Sequence, residues 1–228
     1  YITKIIFISN NLSKFFNIKK DNYIILHDAC DLKDFKRKNN LNKKVKKIFY
    51  LGSFYKGRGI DIIKKLAKLT PDLDFYLYGL RDEKINSFKN FKVYPIVSYR
   101  ESIKLINSAD LLLMPYQTKV SINSDNFNDD ISEFFSPLKM FEYLASGIPV
   151  ISSDLKVLRE ILTSQKNSIL VRNYTNPFAW KKEILNLSKN YSLRKYISKN
   201  SLATAKKNSW EKRFKKIYNL YQLNINHD

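Results

Sequence analysis

A cation, a carboxylate and a helix start lie close together in the segment from Ser136 to Asp154. Ser136 is a favourable helix cap, and Pro137 suits the first turn of a helix. Lys139 and Glu142 are three residues apart and therefore share one polar edge of that helix. Because the N–H groups of a first helical turn attract anions, this segment predicts an anion site that would suit a nucleotide-linked ligand.

The turn from Gly52 to Gly59 has features of a phosphate-binding loop. It follows an apolar strand and opens a helix, and Gly52 and Gly57 have the spacing of P-loop glycines. Arg58 stands at the P-loop lysine, however, and Gly59 stands where a serine or threonine would hold magnesium. Together with Lys56, the turn predicts an anion site without bound magnesium, and a plain turn with surface cations is the alternative.

Other kinds of catalytic site find little support in the sequence. The acidic segment 125–130 lacks the glycine that an EF-hand loop requires at its sixth position. His27, His227 and the lone Cys30 do not form a zinc motif, and no nucleophile-elbow motif is present. We therefore predict a domain that binds and positions its ligand, without a metal site.

Apolar strands alternate with amphipathic helices through most of the chain. This pattern predicts a doubly wound, Rossmann-like α/β domain whose sheet is mostly parallel. Residues 176–223 follow as successive helices with apolar faces, which indicates a helical C-terminal segment. In such folds the ligand lies beyond the carboxyl ends of the strands. The expected strands are 47–51, 73–78, 91–94, 110–114, 150–151 and 169–171.

The composition leaves several kinds of partner open. A formal net charge of +20 suits nucleic acid, an anionic membrane surface or acidic substrates, although a general bias towards lysine would give the same charge. No apolar run reaches the length of a membrane span, and the lone Cys30 fits a reducing compartment, so a cytoplasmic location is expected. The chain starts at Tyr1 within an apolar segment, and we expect its beginning to be missing.

In this order, the motifs resemble the C-terminal, nucleotide-sugar-binding half of retaining glycosyltransferases of family 4 (group 1), which have the GT-B fold. Segment 50–61 resembles the donor-diphosphate loop, and segment 108–115 resembles the strand before the family signature. The signature itself is matched by residues 136–154.

The resemblance also implies a domain organisation. Residues 1–35 correspond to a remnant of the N-terminal acceptor domain and the linker, and residues 36–208 to the nucleotide-sugar-binding Rossmann-like domain. Residues 209–228 correspond to a C-terminal helix that crosses back to the acceptor domain. The basic segment 36–44 is the expected boundary. The chain alone is expected to bind nucleotide weakly and not to catalyse transfer.

The resemblance assigns roles to individual residues. Glu142 matches the glutamate that binds the ribose hydroxyls of the donor, a favourable charge-assisted contact. Arg58 and Lys139 would neutralise the diphosphate, whose charge grows as the glycosidic bond breaks. The other donor-binding positions, where backbone would approach the phosphates, are Gly52, Ser53, Ser136, Pro137 and Leu138.

One position departs from the family pattern. The first glutamate of the Glu-x7-Glu motif, which contacts the donor sugar, falls at Phe134 in this chain. The neighbouring Glu133 is the candidate for that contact.

The implied activity is transfer of a hexose from a UDP- or GDP-sugar with retention of configuration, without metal, cofactor or protein nucleophile. The expected partners are the donor and a glycan or lipid-linked acceptor in cell-envelope polysaccharide synthesis. Peripheral contact with the anionic inner face of the membrane is a further option, and nucleic acid is not expected. Two alternatives stay open: a nucleotide-sugar epimerase of similar fold, and a non-catalytic basic module that binds an anionic polymer or membrane.

Overall fold

The computed structural model describes residues 4–35, 41–80, 85–122 and 129–225, with side chains as far as residue 222. Part of the acidic segment (125–128) and part of the expected domain boundary (36–40) lie outside these residues. The strands are β1 (Ile5–Phe7), β2 (Tyr23–Ile25), β3 (Lys47–Leu51), β4 (Asp74–Leu80), β5 (Phe91–Pro95), β6 (Leu111–Met114), β7 (Val150–Ser153) and β8 (Ile169–Val171). The α-helices are α1 (Asn10–Phe15), α2 (Ile60–Leu69), α3 (Tyr99–Ser108), α4 (Leu138–Ser146), α5 (Pro177–Lys189), α6 (Tyr191–Lys207) and α7 (Trp210–Ile225).

Six strands form one parallel sheet in the order β5-β4-β3-β6-β7-β8. Every residue of β6 and β7 is buried, as expected for central strands covered by helices on both faces. The doubly wound α/β fold predicted from the alternating pattern is therefore confirmed.

Two apolar layers cover the faces of this sheet. One face packs against α2 and α5, where Ile63, Leu66 and Trp180 are almost completely buried. The other packs against α3 and α4, where Phe141 and Leu144 are fully buried. The buried apolar side of each helix matches its 3.6-residue period, so the sequence pattern fixes which side of each helix faces the sheet.

The order of the sheet creates a switch point between β3 and β6. The chain leaves β3 through α2 towards β4 on one side, and leaves β6 through α4 towards β7 on the other. The connections after these two neighbouring strands therefore diverge and leave a crevice at their carboxyl ends, where ligands of open α/β sheets bind. Gly52 and Pro115 follow β3 and β6 at this point.

The ends of the described chain lie against each other. Strands β1 and β2 form a separate two-stranded parallel sheet. Helix α7 contacts the segment that follows β2: the Trp210 N–H donates to the Cys30 carbonyl at 3.2 Å. The Arg213 guanidinium donates to the carbonyls of Leu26 and His27. None of the described helices is both long and apolar enough to cross a bilayer.

Candidate anion-binding site

Lys139 extends from the first turn of α4 to the turn that follows β3. A Cβ added to Gly52 would overlap the Lys139 ammonium, so the missing side chain creates the space that the ammonium fills. Gly52 also has a φ of +143°, which side-chain-bearing residues rarely adopt. Its N–H donates to the Tyr78 carbonyl at 2.9 Å and thereby fixes the turn.

Two tyrosine rings enclose this ammonium. The Lys139 Nζ atom lies 4.1 Å from the ring centre of Tyr50 and 5.6 Å from that of Tyr116. The atom is buried and has no hydrogen-bond partner among the described residues. Burial, assisted by the nearby Arg58 charge and opposed by Glu142, lowers the pKa of Lys139 to about 7. Because a buried ammonium without an acceptor is costly, this geometry makes the cluster a candidate anion site.

Arg58 approaches the same tyrosine from the glycine-rich turn. Its guanidinium carbon lies 5.4 Å from the ring centre of Tyr116, and its Nη2 donates to the Ser121 carbonyl at 3.0 Å. Its Nε is buried, and the part of the chain that the structure describes offers it no hydrogen-bond partner. Arg58 and Lys139 therefore both contact Tyr116 with unused donors, and an anion between them would satisfy both.

Buried tyrosine hydroxyls hold the backbone around this cluster. The Tyr50 hydroxyl donates to the Ser53 carbonyl at 2.8 Å, and the Leu51 N–H donates to the Tyr143 hydroxyl at 2.8 Å. Burial raises the pKa of Tyr116 to about 12 against the opposing effect of Arg58, so this ring is a neutral wall at physiological pH. The cluster is thus preorganised by β3 and α4.

Glu142 lies one helical turn beyond Lys139 on α4 and is half-buried. Within the described part of the chain it has no hydrogen bond or ion pair, even with Lys139. Burial raises the pKa of its carboxyl group, and the Lys139 charge opposes this effect. The carboxylate is therefore available to accept hydrogen bonds from a ligand.

The start of α4 differs from the sequence prediction. Ser136 does not cap the helix; Pro137 is the N-cap residue, with no side-chain cap. The helix begins one residue later than predicted, so Ser136 precedes the N-cap position, and its hydroxyl instead accepts the N–H of Asp28 at 3.2 Å. The first turn of α4 thus keeps backbone N–H groups that no capping side chain satisfies. Leu138, at this edge, is 51% exposed.

The structure places Glu133 in a different cavity from these residues. This cavity has a volume of about 510 Å³ and lies between α1 and the loops after β6 and β7. Asn11 donates to the Glu133 carbonyl at 3.1 Å, and the ring of Phe134 packs edge-on against Phe15 at 5.2 Å. The lining includes Glu133 but none of Gly52, Arg58, Lys139 and Glu142.

A larger cavity of about 820 Å³ lies beside β8 and is also basic, with Arg159, Arg172 and Lys182 in its lining. Arg159 is already paired with Asp154, its Nε lying 2.5 Å from the carboxylate, and Arg172 and Lys182 are exposed. This cavity therefore lacks the buried, unpartnered cation that marks the Lys139 cluster.

Sequence reasoning missed the two tyrosines of the cluster. Tyr50 lies near the end of β3, and Tyr116 follows β6 by two residues. The available signal was their position: both are aromatic residues at the carboxyl ends of the strands that form the switch point. In the sequence alone they were indistinguishable from core residues.

Comparison with known proteins identifies the family. The sequence profile described as "Glycosyl transferases group 1" matches residues 31–204. The chain belongs to this family. Among curated relatives, this glycosyltransferase chain is 26% identical over 183 residues to an uncharacterized glycosyltransferase of Methanocaldococcus jannaschii. That match covers 76% of the chain and 47% of the relative, so the chain spans about half the length of the curated protein it matches.

Solved structures support the fold assignment. Sucrose-phosphate synthase from Thermosynechococcus elongatus superposes with a TM-score of 0.76 at 16% identity, covering 98% of this chain and 58% of the synthase. HepE from Anabaena, solved in complex with UDP and glucose, gives a TM-score of 0.74 at 14% identity, covering 96% of this chain and 63% of HepE. The six-stranded sheet and its helices match the C-terminal domains of GT-B glycosyltransferases. Family membership does not favour the epimerase or the non-catalytic basic module.

Proposed function

We propose that this chain is the donor-binding part of a retaining, metal-independent glycosyltransferase and binds a UDP- or GDP-linked sugar. One observation carries the proposal: the buried Lys139 ammonium has no acceptor within the described ranges and lies beside Arg58 at the switch point of the sheet. A diphosphate is the part of a nucleotide sugar that supplies acceptors to two such cations. The relatedness to glycosyltransferases supports this assignment.

In this proposal the diphosphate binds between the Gly52–Gly59 turn and the start of α4. Lys139 and Arg58 stabilise the negative charge that develops on the leaving diphosphate as the glycosidic bond breaks. The N–H groups in the first turn of α4 add positive partial charge, which also stabilises the diphosphate. The departing phosphate assists attack on the same face of the sugar, so retention requires no protein nucleophile.

Glu142 accepts hydrogen bonds from the ribose hydroxyls. Its half-buried carboxylate has no partner among the described residues, and vicinal hydroxyls supply two donors to one carboxylate. Glu133, in the cavity beside α1, is the proposed contact for the donor sugar. The acceptor is a glycan or lipid-linked hydroxyl in cell-envelope polysaccharide synthesis, reached from the cytoplasmic side of the membrane.

Isothermal titration calorimetry with UDP, GDP and ADP tests the donor site. Binding of at least one nucleotide is expected, with the affinity reduced at least about tenfold in Glu142→Ala and Arg58→Ala, because each loses a charge-assisted contact. Matched controls are Glu211→Ala on α7 and Arg172→Ala beside β8, which remove the same charges from exposed positions. Absence of heat with all three nucleotides, or unchanged affinity in both site variants, contradicts the proposal.

A further inference from the structure

The Lys139 ammonium is surrounded by groups that do not neutralise its charge. Tyr50 faces it from β3, Tyr116 from the loop after β6, and Arg58 from the glycine-rich turn. Glu142 contributes from α4 itself, and its opposing effect is smaller than those of burial and Arg58. The rings offset part of the burial cost through cation–π attraction, by about 0.5–2 kcal/mol in general, but they accept no hydrogen bond from Nζ.

We propose that a nucleoside diphosphate binds together with a proton, which is taken up by the buried Lys139 amine that has no acceptor among the described residues. The inference rests on the proposed donor site. The proton comes from hydronium or a buffer acid, whose bond to hydrogen breaks as an N–H bond forms at the Nζ lone pair.

The bound anion reverses the electrostatic balance at Lys139. In the free protein, the like-charged guanidinium of Arg58 has a larger effect on the pKa of Lys139 than the carboxylate of Glu142 has. A diphosphate between the two cations brings more than one negative charge within hydrogen-bond reach of Nζ, and opposite charges at such distances favour the protonated amine. Burial then strengthens this attraction, because the pair is poorly screened by water.

The size of the coupling follows from the free-state titration. With a pKa of about 7, Lys139 is mostly protonated at pH 6 and mostly neutral at pH 8. Binding should therefore take up about 0.1 proton at pH 6 and about 0.9 proton at pH 8 if the bound lysine is fully charged. Because only the protonated form is competent, affinity should fall about 50-fold between pH 7 and pH 9.

Calorimetry in buffers of different ionisation enthalpy measures this proton uptake directly. The titrant is UDP or GDP, and the matched variant is Lys139→Arg, which keeps a cation that does not titrate in this range. Subtracting the variant from the wild type removes the ionisation of the nucleotide phosphates themselves. We expect a difference of about 0.9 proton at pH 8 and little difference at pH 6. Equal uptake by both proteins at pH 8 overturns the inference.

A second measurement uses the unaltered protein and therefore does not depend on how the variant folds. NMR of protein labelled with ¹³C at lysine Cε should show, without ligand, one lysine that titrates near pH 7. The pKa of this lysine should rise when the nucleotide is added. Titration of every lysine in its ordinary range, near pH 10, overturns the inference, because Lys139 would then already be protonated in the free protein. No binding of either nucleotide contradicts the proposed function and the inference together, whereas binding without the proton difference contradicts the inference alone.

Discussion

At the residue scale, the site depends on a lysine that has lost its water without gaining an acceptor. Lys139 Nζ is buried between Tyr50 and Tyr116 and makes no hydrogen bond. Such a group lowers the stability of the free protein, and it makes a favourable contribution to the free energy only when a ligand pairs with it. Function and stability therefore oppose each other at this position.

Lys139→Met should stabilise the ligand-free protein by about 1 kcal/mol or more at pH 7, because it removes a buried group that must be charged or deprotonated. The folded-state pKa, about 7, lies below the ordinary lysine value, so the unfolded chain binds more protons between these values. Wild-type stability thus rises with pH above 7, and the advantage of the variant should be largest at pH 6 and shrink towards pH 10. Urea unfolding of both proteins at pH 6 and pH 10 measures the difference in their free energies of unfolding. A difference that does not change with pH would contradict the lowered pKa of Lys139.

Replacement of Glu142 by glutamine should weaken recognition of the ribose. The unpartnered carboxylate accepts from hydroxyls as an anion, and an amide loses the charge assistance that is typically worth about 1 kcal/mol or more. We expect UDP to bind about tenfold more tightly than 2′-deoxy-UDP in the wild type and less than about threefold more tightly in Glu142→Gln. An unchanged ratio of the two dissociation constants would show that Glu142 does not contact the ribose.

The residue types of the site were predictable from the sequence, but the direction of one side chain was not. Lys139 and Glu142 were identified from their spacing on one helix and their place at a helix start. The inward course of Lys139 depends on Gly52 and Tyr50, which are far away in sequence and meet α4 only through the sheet. Helical periodicity describes one element and carries no information on such contacts.

At the element scale, the site forms where a glycine-rich turn and a helix start meet at the carboxyl edge of the sheet. Their proximity was predictable because parallel strands in a doubly wound sheet bring these loops to one edge. The role of Ser136 was predicted wrongly. Its hydroxyl accepts a hydrogen bond from the N–H of Asp28 and does not cap α4. A capping rule based on neighbouring residues cannot detect a donor that is far away in sequence.

Gly52→Ala tests the meeting of these two elements. The new Cβ would occupy the position of the Lys139 ammonium, and nucleotide affinity should fall at least about tenfold, as for loss of a charged contact. The matched control is Gly147→Ala, at the other end of α4. Gly147 also has a positive φ, +70°, but its Cβ would meet only flexible side chains, such as Leu202 at 3.2 Å.

Both glycine variants should lose about 1–2 kcal/mol of stability, because a Cβ is disfavoured at positive φ. Only Gly52→Ala should lose nucleotide binding. Thermal unfolding and calorimetry on the same samples separate the two effects, and equal affinity in the two variants would argue against the overlap between the Gly52 position and the ligand site.

At the scale of the whole molecule, the fold was the best-predicted level. Buried strands such as β6 are apolar throughout, and amphipathic helices separate them, so the α/β architecture follows from pattern alone. The net charge of +20 was a poorer guide, because a charge total does not reveal which cations are paired, exposed or buried. Lys139 differs from the exposed lysines only in its surroundings.

Arg213 tests how the ends of the chain are held together. Its guanidinium donates to the carbonyls of Leu26 and His27, so Arg213→Leu should loosen α7 and the segment after β2. Hydrogen–deuterium exchange should show faster exchange of amides in both regions, because each loses the contact that Arg213 provides. Faster exchange confined to α7 would contradict this account.

The central claim is that a nucleoside diphosphate binds between the Gly52–Gly59 turn and the start of α4, and a crystal structure of the chain with UDP or GDP tests it most directly. The account predicts diphosphate oxygens within hydrogen-bond distance of both Lys139 Nζ and the Arg58 guanidinium, with the ribose hydroxyls on Glu142. Density for the diphosphate elsewhere, such as in the basic cavity beside β8, with Lys139 Nζ still unpartnered between its two tyrosines, would contradict it.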